Sequence, residues 1–174
     1  MRVRDADASR DAAACAAIYA PYVTDSFISF EDRVPTTEEM QRRIAGAHVW
    51  LLAESEGTPI GYAYGSAHRE RSAYRWAADV AIYIDTAHHR AGVGRALYTR
   101  LFERLRGVGL WTVCAGVTQP NPASIGLHRA LGFVHVGTYR RIGWKQGAWH
   151  DVSWWQLDLR PGEQGPPAEL SGRS

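Results

Sequence analysis

The chain has 174 residues, 45% of them hydrophobic and 22% charged, which suits one domain around one sizeable core. A formal net charge of +2 with no Lys/Arg block argues against nucleic acid as a partner, and no apolar run approaches the roughly 18–20 residues of a membrane span. The start, MRVRDADASRD, has no apolar segment of a secretory signal, and Cys15 and Cys114 form no CxxC pair, so a cytoplasmic protein with two reduced thiols is expected.

Residues 1–5 predict a short strand. The alanine-rich run from about Ser9 to Tyr22 predicts a helix that Pro21 should end or kink. Phe27, Ile28 and Phe30 follow in a connecting segment. Thr36 and Glu39 have the spacing of a capping box and open a short helix over EEMQRRI. Residues 49–55 and 60–67 read as a hairpin across Glu56-Gly57-Thr58, and residues 76–84 (WAADVAIYI) as a buried strand.

The segment AGVGRALYTRLFERLRGVG places Val93, Leu97, Leu101 and Leu105 on one face of an amphipathic helix. Residues 111–117 predict a strand. Residues 122–131 predict a helix with Asn121 as N-cap and Pro122 at the first helical position. Residues 133–139 and 152–159 finish as strands. The tail 161–174, rich in Gly, Pro and polar residues, is expected to be flexible and to add little to the core. Strands mixed with helices, several strands coming first in a row, imply an α+β domain on a mostly antiparallel sheet.

The most informative local pattern is strand, then HHRAGVGRA, then helix. A glycine-rich turn at a helix start gathers unpaired N–H groups, and with the helix dipole these favour a phosphate. Gly92 and Gly94 allow close approach and unusual φ, and Arg90 and Arg95 can add charged contacts. The turn is not a P-loop, since no Gly-Lys-Ser/Thr follows. Nor is it the dinucleotide fingerprint, since Leu97 stands where its third glycine would be.

Asp79 lies in an otherwise apolar strand, where a carboxylate should be functional or well paired. Arg69 and Arg71 are spaced i, i+2 at a strand end, so a regular strand would point both to one side, and their forks suit carboxylate or phosphinate oxygens. His88, His89 and His150 show no metal-ligand spacing with a credible partner set, so no metal is expected. His150-Asp151 reads as structural, among aromatics that suit core or subunit contacts.

The strand IYI, the turn RAGVG and the stretch QPNPASIGLHRALGF, in that order, are similar to the GNAT superfamily of N-acetyltransferases. Within it the chain closely resembles the phosphinothricin acetyltransferases, through IYAPYV, ISFE, RSAYRW, AIYI, RAGVGRALY, NPASIGLHRALGF and GWKQGAWHDVSWWQLDL, nearly end to end. The resemblance implies a sheet splayed between strands 4 and 5 and flanked by helices, with acetyl-CoA as co-substrate in the split. It implies that backbone groups of Ile82, Tyr83 and Ile84 bond the pantetheine arm and thioester. Arg90, Ala91, Gly92, Val93, Gly94 and Arg95 would cradle the pyrophosphate, with Asn121 and Ser124 also on the cofactor side.

The same resemblance makes Asp79 and His128 the catalytic candidates. Asp79 is the leading base, although the family usually carries Glu there and the shorter side chain favours a water relay. His128 is a second base, or the acid that protonates the thiolate. Phe30, Arg69, Arg71, Tyr74 and Tyr83 would bind the acceptor, with Arg69 replacing a Lys, and His89 stands where Gln or Arg is usual. The implied reaction is acetylation of the α-amine of a small amino acid analogue such as phosphinothricin, methionine sulfoximine or methionine sulfone, by a homodimer. Another amine (polyamine, aminoglycoside, protein N-terminus) or a catalytically silent acetyl-CoA-binding module remain the alternatives.

Overall fold

The computed structural model describes residues 1–164 and 166–170. In chain order the elements are β1 (Arg2–Asp5), α1 (Ala8–Thr24), α2 (Thr37–Gly46), β2 (Val49–Ser55), β3 (Thr58–Ala67), β4 (Ala77–Ile84), α3 (Val93–Gly107), β5 (Thr112–Thr118), α4 (Pro122–Ala130), β6 (Val134–Lys145) and β7 (Ala148–Asp158). They build one seven-stranded sheet in the order β1-β2-β3-β4-β5-β7-β6. Every neighbouring pair is antiparallel except β4 with β5, so the mixed, mostly antiparallel α+β architecture expected from the sequence is the one found.

Strand alternation divides the core in two. Ala78 and Val80 of β4 and Val113, Ala115 and Val117 of β5 face α3, where Val93, Leu97, Leu101 and Leu105 are the apolar stripe read from the sequence. On the other face Leu52 and Tyr62 meet Ala12, Cys15, Tyr19 and Val23 of α1 and Met40 and Ile44 of α2. Arg4 of β1 ties α1 to this sheet edge, donating to Asp11 (2.6 and 2.9 Å) and to Glu54 of β2.

The capping box is formed: the Thr36 hydroxyl accepts from the Glu39 N–H (3.2 Å) and the Glu39 carboxylate accepts from the Thr36 N–H (2.8 Å). Pro21 does not end α1. Helical bonding carries on past it, with the Asp25 N–H on the Pro21 carbonyl (3.0 Å), while Tyr19 and Val23 stay buried either side. Burial of that apolar face outweighs the one backbone donor that proline lacks.

The largest departure is the final hairpin. β6 and β7 run to Lys145 and from Ala148, joined at Gln146 (φ +51°) and Gly147 (φ +74°), so residues 140–151 are strand and turn where no strand was expected. Positive φ at both central residues is the two-residue hairpin turn whose twist matches the strands. β6 is an edge strand, and the hairpin leaves Val134, Val136, Tyr139, Ile142, Trp144 and Trp149 between 49% and 61% exposed. Part of the expected tail returns to the body: the Trp76 indole N–H donates to the Ala168 carbonyl (2.9 Å), and Leu170 packs against the core on the α3 side. The rest of that segment, Gly165 and residues 171–174, lies outside the described residues.

Candidate active site

The parallel pairing of β4 with β5 lasts three residue pairs, Ala77–Thr112, Ala78–Val113 and Asp79–Cys114. Beyond it β4 stays with β3 and β5 stays with β7, so the two strands part. The gap opens a cleft of about 840 Å³, walled by residues 80–84 of β4, residues 115–118 of β5 and the first turns of α3 and α4.

The backbone groups facing this gap follow from hydrogen bonding. The Tyr22 hydroxyl donates to the Ile84 carbonyl (2.6 Å) and lies 3.3 Å from the Ile84 N–H, so Ile84 turns its polar groups away from β3. The Asp85 N–H bonds the Ile60 carbonyl beyond β3's side (2.9 Å). Alternation then turns Ile82 toward the cleft with Ile84, and Tyr83 toward β3 with Asp85. Of the three consecutive residues expected to offer backbone contacts, Ile82 and Ile84 turn theirs toward the cleft, those of Ile84 already meeting the Tyr22 hydroxyl, whereas Tyr83 turns its own toward β3 and presents its ring. That ring stands beside Tyr19 (4.6 Å), Tyr22 (5.1 Å) and Tyr62 (5.4 Å), and burial pushes its hydroxyl well above the usual tyrosine range.

At the head of α3, Gly92 takes the left-handed conformation (φ +80°) and is the N-cap, with no side chain capping the helix and no acidic residue in its first turn. The N–H groups of Val93, Gly94 and Arg95 are thus left for a ligand. Gly94 is needed for space rather than for φ: a Cβ there would stand 3.0 Å from Leu127 and 3.3 Å from Ile84, so its absence lets the helix start lie against β4 and α4. Arg90 (φ +63°) and Arg95 are exposed, and among the described residues neither meets a carboxylate; Ala91 beside them is exposed too. His89 Nε2 is 3.1 Å from both the Tyr22 hydroxyl and the Ile84 carbonyl oxygen. Open helix donors, the dipole and two free guanidinium groups fit the diphosphate of acetyl-CoA, and the split fits its narrow arm.

Asn121 caps α4, its Oδ1 accepting from the Ser124 N–H (3.1 Å). His128 is 2% exposed. Its Nδ1 donates to the Ser124 carbonyl (2.7 Å), since that oxygen can only accept, and its Nε2 is then the acceptor for the Tyr98 hydroxyl (3.3 Å). Burial holds its pKa below the ordinary histidine value. Both ring nitrogens are therefore engaged by protein, and edge contacts with Tyr98 and Phe133 root the ring in the core on the α3 side.

Asp79 lies on the opposite face of the sheet, with Tyr83 and Cys114, so the two catalytic candidates are not brought together. Its Oδ1 is 2.6 Å from Nδ1 of His68, the first residue after β3. Burial raises the Asp79 carboxyl, opposed by His68 and then Arg69. The donor atoms of His68, Asp79 and Cys114 lie within 4.8 Å of one another, with Nδ1 of His68 already turned to the Asp79 carboxylate. The sequence carried no sign of this cluster, because its members come from three separate segments of the chain.

β3 ends at Ala67, so Arg69 and Arg71 do not sit on a regular strand as expected; Arg71 precedes a 3₁₀ turn over Ser72–Tyr74. Both guanidinium groups are exposed, and among the described residues neither pairs with a carboxylate. The Tyr74 ring is 5.8 Å from that of His68. Phe30 approaches from the segment after α1, against Gly143 of β6. Lys145, which the sequence did not single out, holds that segment by donating to the carbonyls of Val23 (2.7 Å), Ser29 (2.7 Å) and Glu31 (2.9 Å). His150 stacks on Phe27 and donates to the Lys145 carbonyl, and the Asp151 carboxylate accepts from the Arg141 N–H, both structural bonds.

Residues 6–154 match the family model described as an acetyltransferase (GNAT) domain. The chain is 37% identical over 162 residues to a phosphinothricin N-acetyltransferase of Streptomyces viridochromogenes, covering 91% of this chain and 88% of the relative. It is 33% identical over 164 residues to an L-methionine sulfoximine/L-methionine sulfone acetyltransferase of Salmonella typhimurium, covering 91% and 95%. Among solved structures it is similar to a phosphinothricin acetyltransferase from Sinorhizobium meliloti in complex with acetyl-CoA, with a TM-score of 0.91 at 34% identity over 97% of this chain and 93% of that one.

Proposed function

The chain belongs to the acetyltransferase (GNAT) family, and from that premise we propose that it transfers acetyl from acetyl-CoA to the α-amine of a small amino acid analogue. Phosphinothricin, methionine sulfoximine and methionine sulfone, the substrates named for its relatives, are the leading acceptors. The observation that carries this reading is the split in the sheet with uncapped helix donors at its rim; it is joined at the end of β3 by Arg69 and Arg71, which pair with no carboxylate among the described residues. A carboxylate with a tetrahedral oxygenated centre suits Arg69 and Arg71, whereas a polyamine would want acidic partners.

Acetyl-CoA supplies an activated acetyl group when bound. The N–H groups of Val93, Gly94 and Arg95, with Arg90 and Arg95, hold its diphosphate, and Ala91 and Gly92 shape the turn. Asn121 and Ser124 order the start of α4 beside its thiol end. Ile82 offers an N–H to the thioester oxygen, where negative charge develops during attack. Phe30, Tyr74 and Tyr83 wall the acceptor. An ammonium has no lone pair, so the amine must first lose a proton, and Asp79 anchors its removal. The hydrogen bonding of His128 supports a positioning role, fixing α4 against Tyr98.

Two free cysteines suit a cytoplasmic location, and no helix among the described residues is long and apolar enough to cross a membrane. The exposed aromatic edge of β6 supports pairing with a second copy, making a homodimer.

The test is free-thiol release from acetyl-CoA with phosphinothricin, methionine sulfoximine, methionine sulfone, methionine and spermidine as separate acceptors. Saturable release with the tetrahedral analogues supports the reading. Release with spermidine alone refutes the acceptor assignment, and release with none refutes the activity. In Arg71→Ala the KM for the acceptor should rise far more than that for acetyl-CoA; an unchanged acceptor KM would discard the arginine clamp.

A further inference from the structure

Resting on the acetyl-transfer reading above, we propose that His68 is the immediate proton acceptor for the substrate amine, with Asp79 as the carboxylate that orients it. Asp79 stands where the resembled family usually carries Glu, and it is one methylene too short to reach as far. In this chain an imidazole occupies the space beyond it, 2.6 Å away. An ionised carboxylate can only accept, so Nδ1 of His68 carries the proton of that bond, and in the neutral ring it is Nε2 that has the lone pair. Among the described residues Nε2 has no hydrogen-bond partner, and it is not one of the buried polar atoms that lack one, so it opens to solvent. The side chain is 18% exposed. It follows directly on β3, next to Arg69 and across from Tyr74, where the acceptor is expected to bind.

The other candidates are less suited. His128 lies on the opposite face with both nitrogens engaged. The Cys114 thiol is pushed up by burial and by Asp79, which keeps it protonated.

The substrate ammonium loses one proton to Nε2 of His68, giving an imidazolium that the Asp79 carboxylate stabilises. The freed amine lone pair forms the N–C bond to the acetyl carbonyl carbon, and the C–S bond breaks with its electron pair on sulfur. A second amine proton ends on that sulfur, giving amide and free thiol, and His68 releases the first proton to solvent.

The experiment compares the wild-type enzyme with His68→Ala, His68→Asn, Asp79→Asn and the double variant His68→Ala/Asp79→Asn, using thiol release and acetyl-CoA titration calorimetry. His68→Asn keeps a donor toward Asp79 but has no base. Both single His68 variants should lose about 10²–10⁴-fold in kcat, the range of general acid–base catalysis, with acetyl-CoA affinity unchanged. Added imidazole should restore part of the lost rate in His68→Ala, saturably. Because the pair acts as a unit, Asp79→Asn should lower kcat in the wild-type background yet change His68→Ala by less than about threefold. An active His68→Asn would reduce the residue to a hydrogen-bond donor and overturn the proposal. So would a full additive loss in the double variant, or the absence of imidazole rescue. An active wild type with such results sinks only the His68 assignment; a wild type silent toward every amine sinks the acetyl-transfer reading as well.

Discussion

Lys145→Met isolates the bond set that fastens the segment between α1 and α2 to the β6–β7 hairpin. The methionine keeps most of the alkyl stem and removes the ammonium, whose three donors all end on carbonyls, at 2.7, 2.7 and 2.9 Å. One of those carbonyls, of Val23, belongs to the last turn of α1, where no intrahelical donor follows and a cation also meets the negative end of the dipole. Hydrogen bonds to a charged group contribute about 1.5–3 kcal/mol each, against the cost of desolvating the ammonium and ordering a long side chain. A net loss of about 2–4 kcal/mol results. At about 2–4 °C per kcal/mol for a chain of this size, Tm should fall by about 4–16 °C in calorimetry. The released segment carries Phe30, proposed for the acceptor, and Ile28, which lines the cleft, so the acceptor KM should rise. A Tm within about 2 °C of wild type together with an unchanged acceptor KM would refute the reasoning.

Three further outcomes are expected. Gly92→Val forces a β-branched residue into the left-handed region (φ +80°) at a cost of about 1–2 kcal/mol, so the KM for acetyl-CoA should rise about tenfold with the acceptor KM little changed; steady-state kinetics decide it. Asp11 titrates from 3.8 unfolded to about 2 folded, chiefly through the Arg4 hydrogen bonds against an opposing burial effect. Its contribution of about 2 kcal/mol is present above the unfolded value and lost as pH falls through about 2, so Asp11→Asn should flatten the drop in Tm measured between pH 5 and pH 2. If the exposed hairpin joins two copies, Ile142→Glu with Trp144→Glu should convert the sedimenting species to monomer without lowering the Tm of the monomeric fold by more than about 3 °C.

What the sequence disclosed was local. The capping box at Thr36 and Glu39, the stripe on α3 and the glycine turn each depend on residues within a few positions of one another, and each is found. What it hid depends on partners far along the chain. Pro21 reads as a helix end until Tyr19 and Val23 are buried on both sides of it. The hairpin arms between residues 140 and 151 read as loop because an edge strand shows no buried alternation, although Gln146-Gly147 is a turn signal that was there to use. His68 and Asp79 are eleven positions apart in the chain and meet only once β3 and β4 are in register, with Ser66 opposite Asp79. Asp79 and His128 stood as two candidates for the base because a one-dimensional reading assigns no side of the sheet; the fold puts them on opposite faces.

The short parallel stretch between β4 and β5 makes the sheet a wall with a single slot in it. The first turns of α3 and α4 line that slot together with Tyr22 and Ile28, from α1 and the segment after it. The residues proposed for the acceptor at the end of β3, Arg69, Arg71 and Tyr74, are not in its lining. On the reading proposed above, substitutions at the end of β3 can therefore alter which amine is accepted while the slot itself stays as it was.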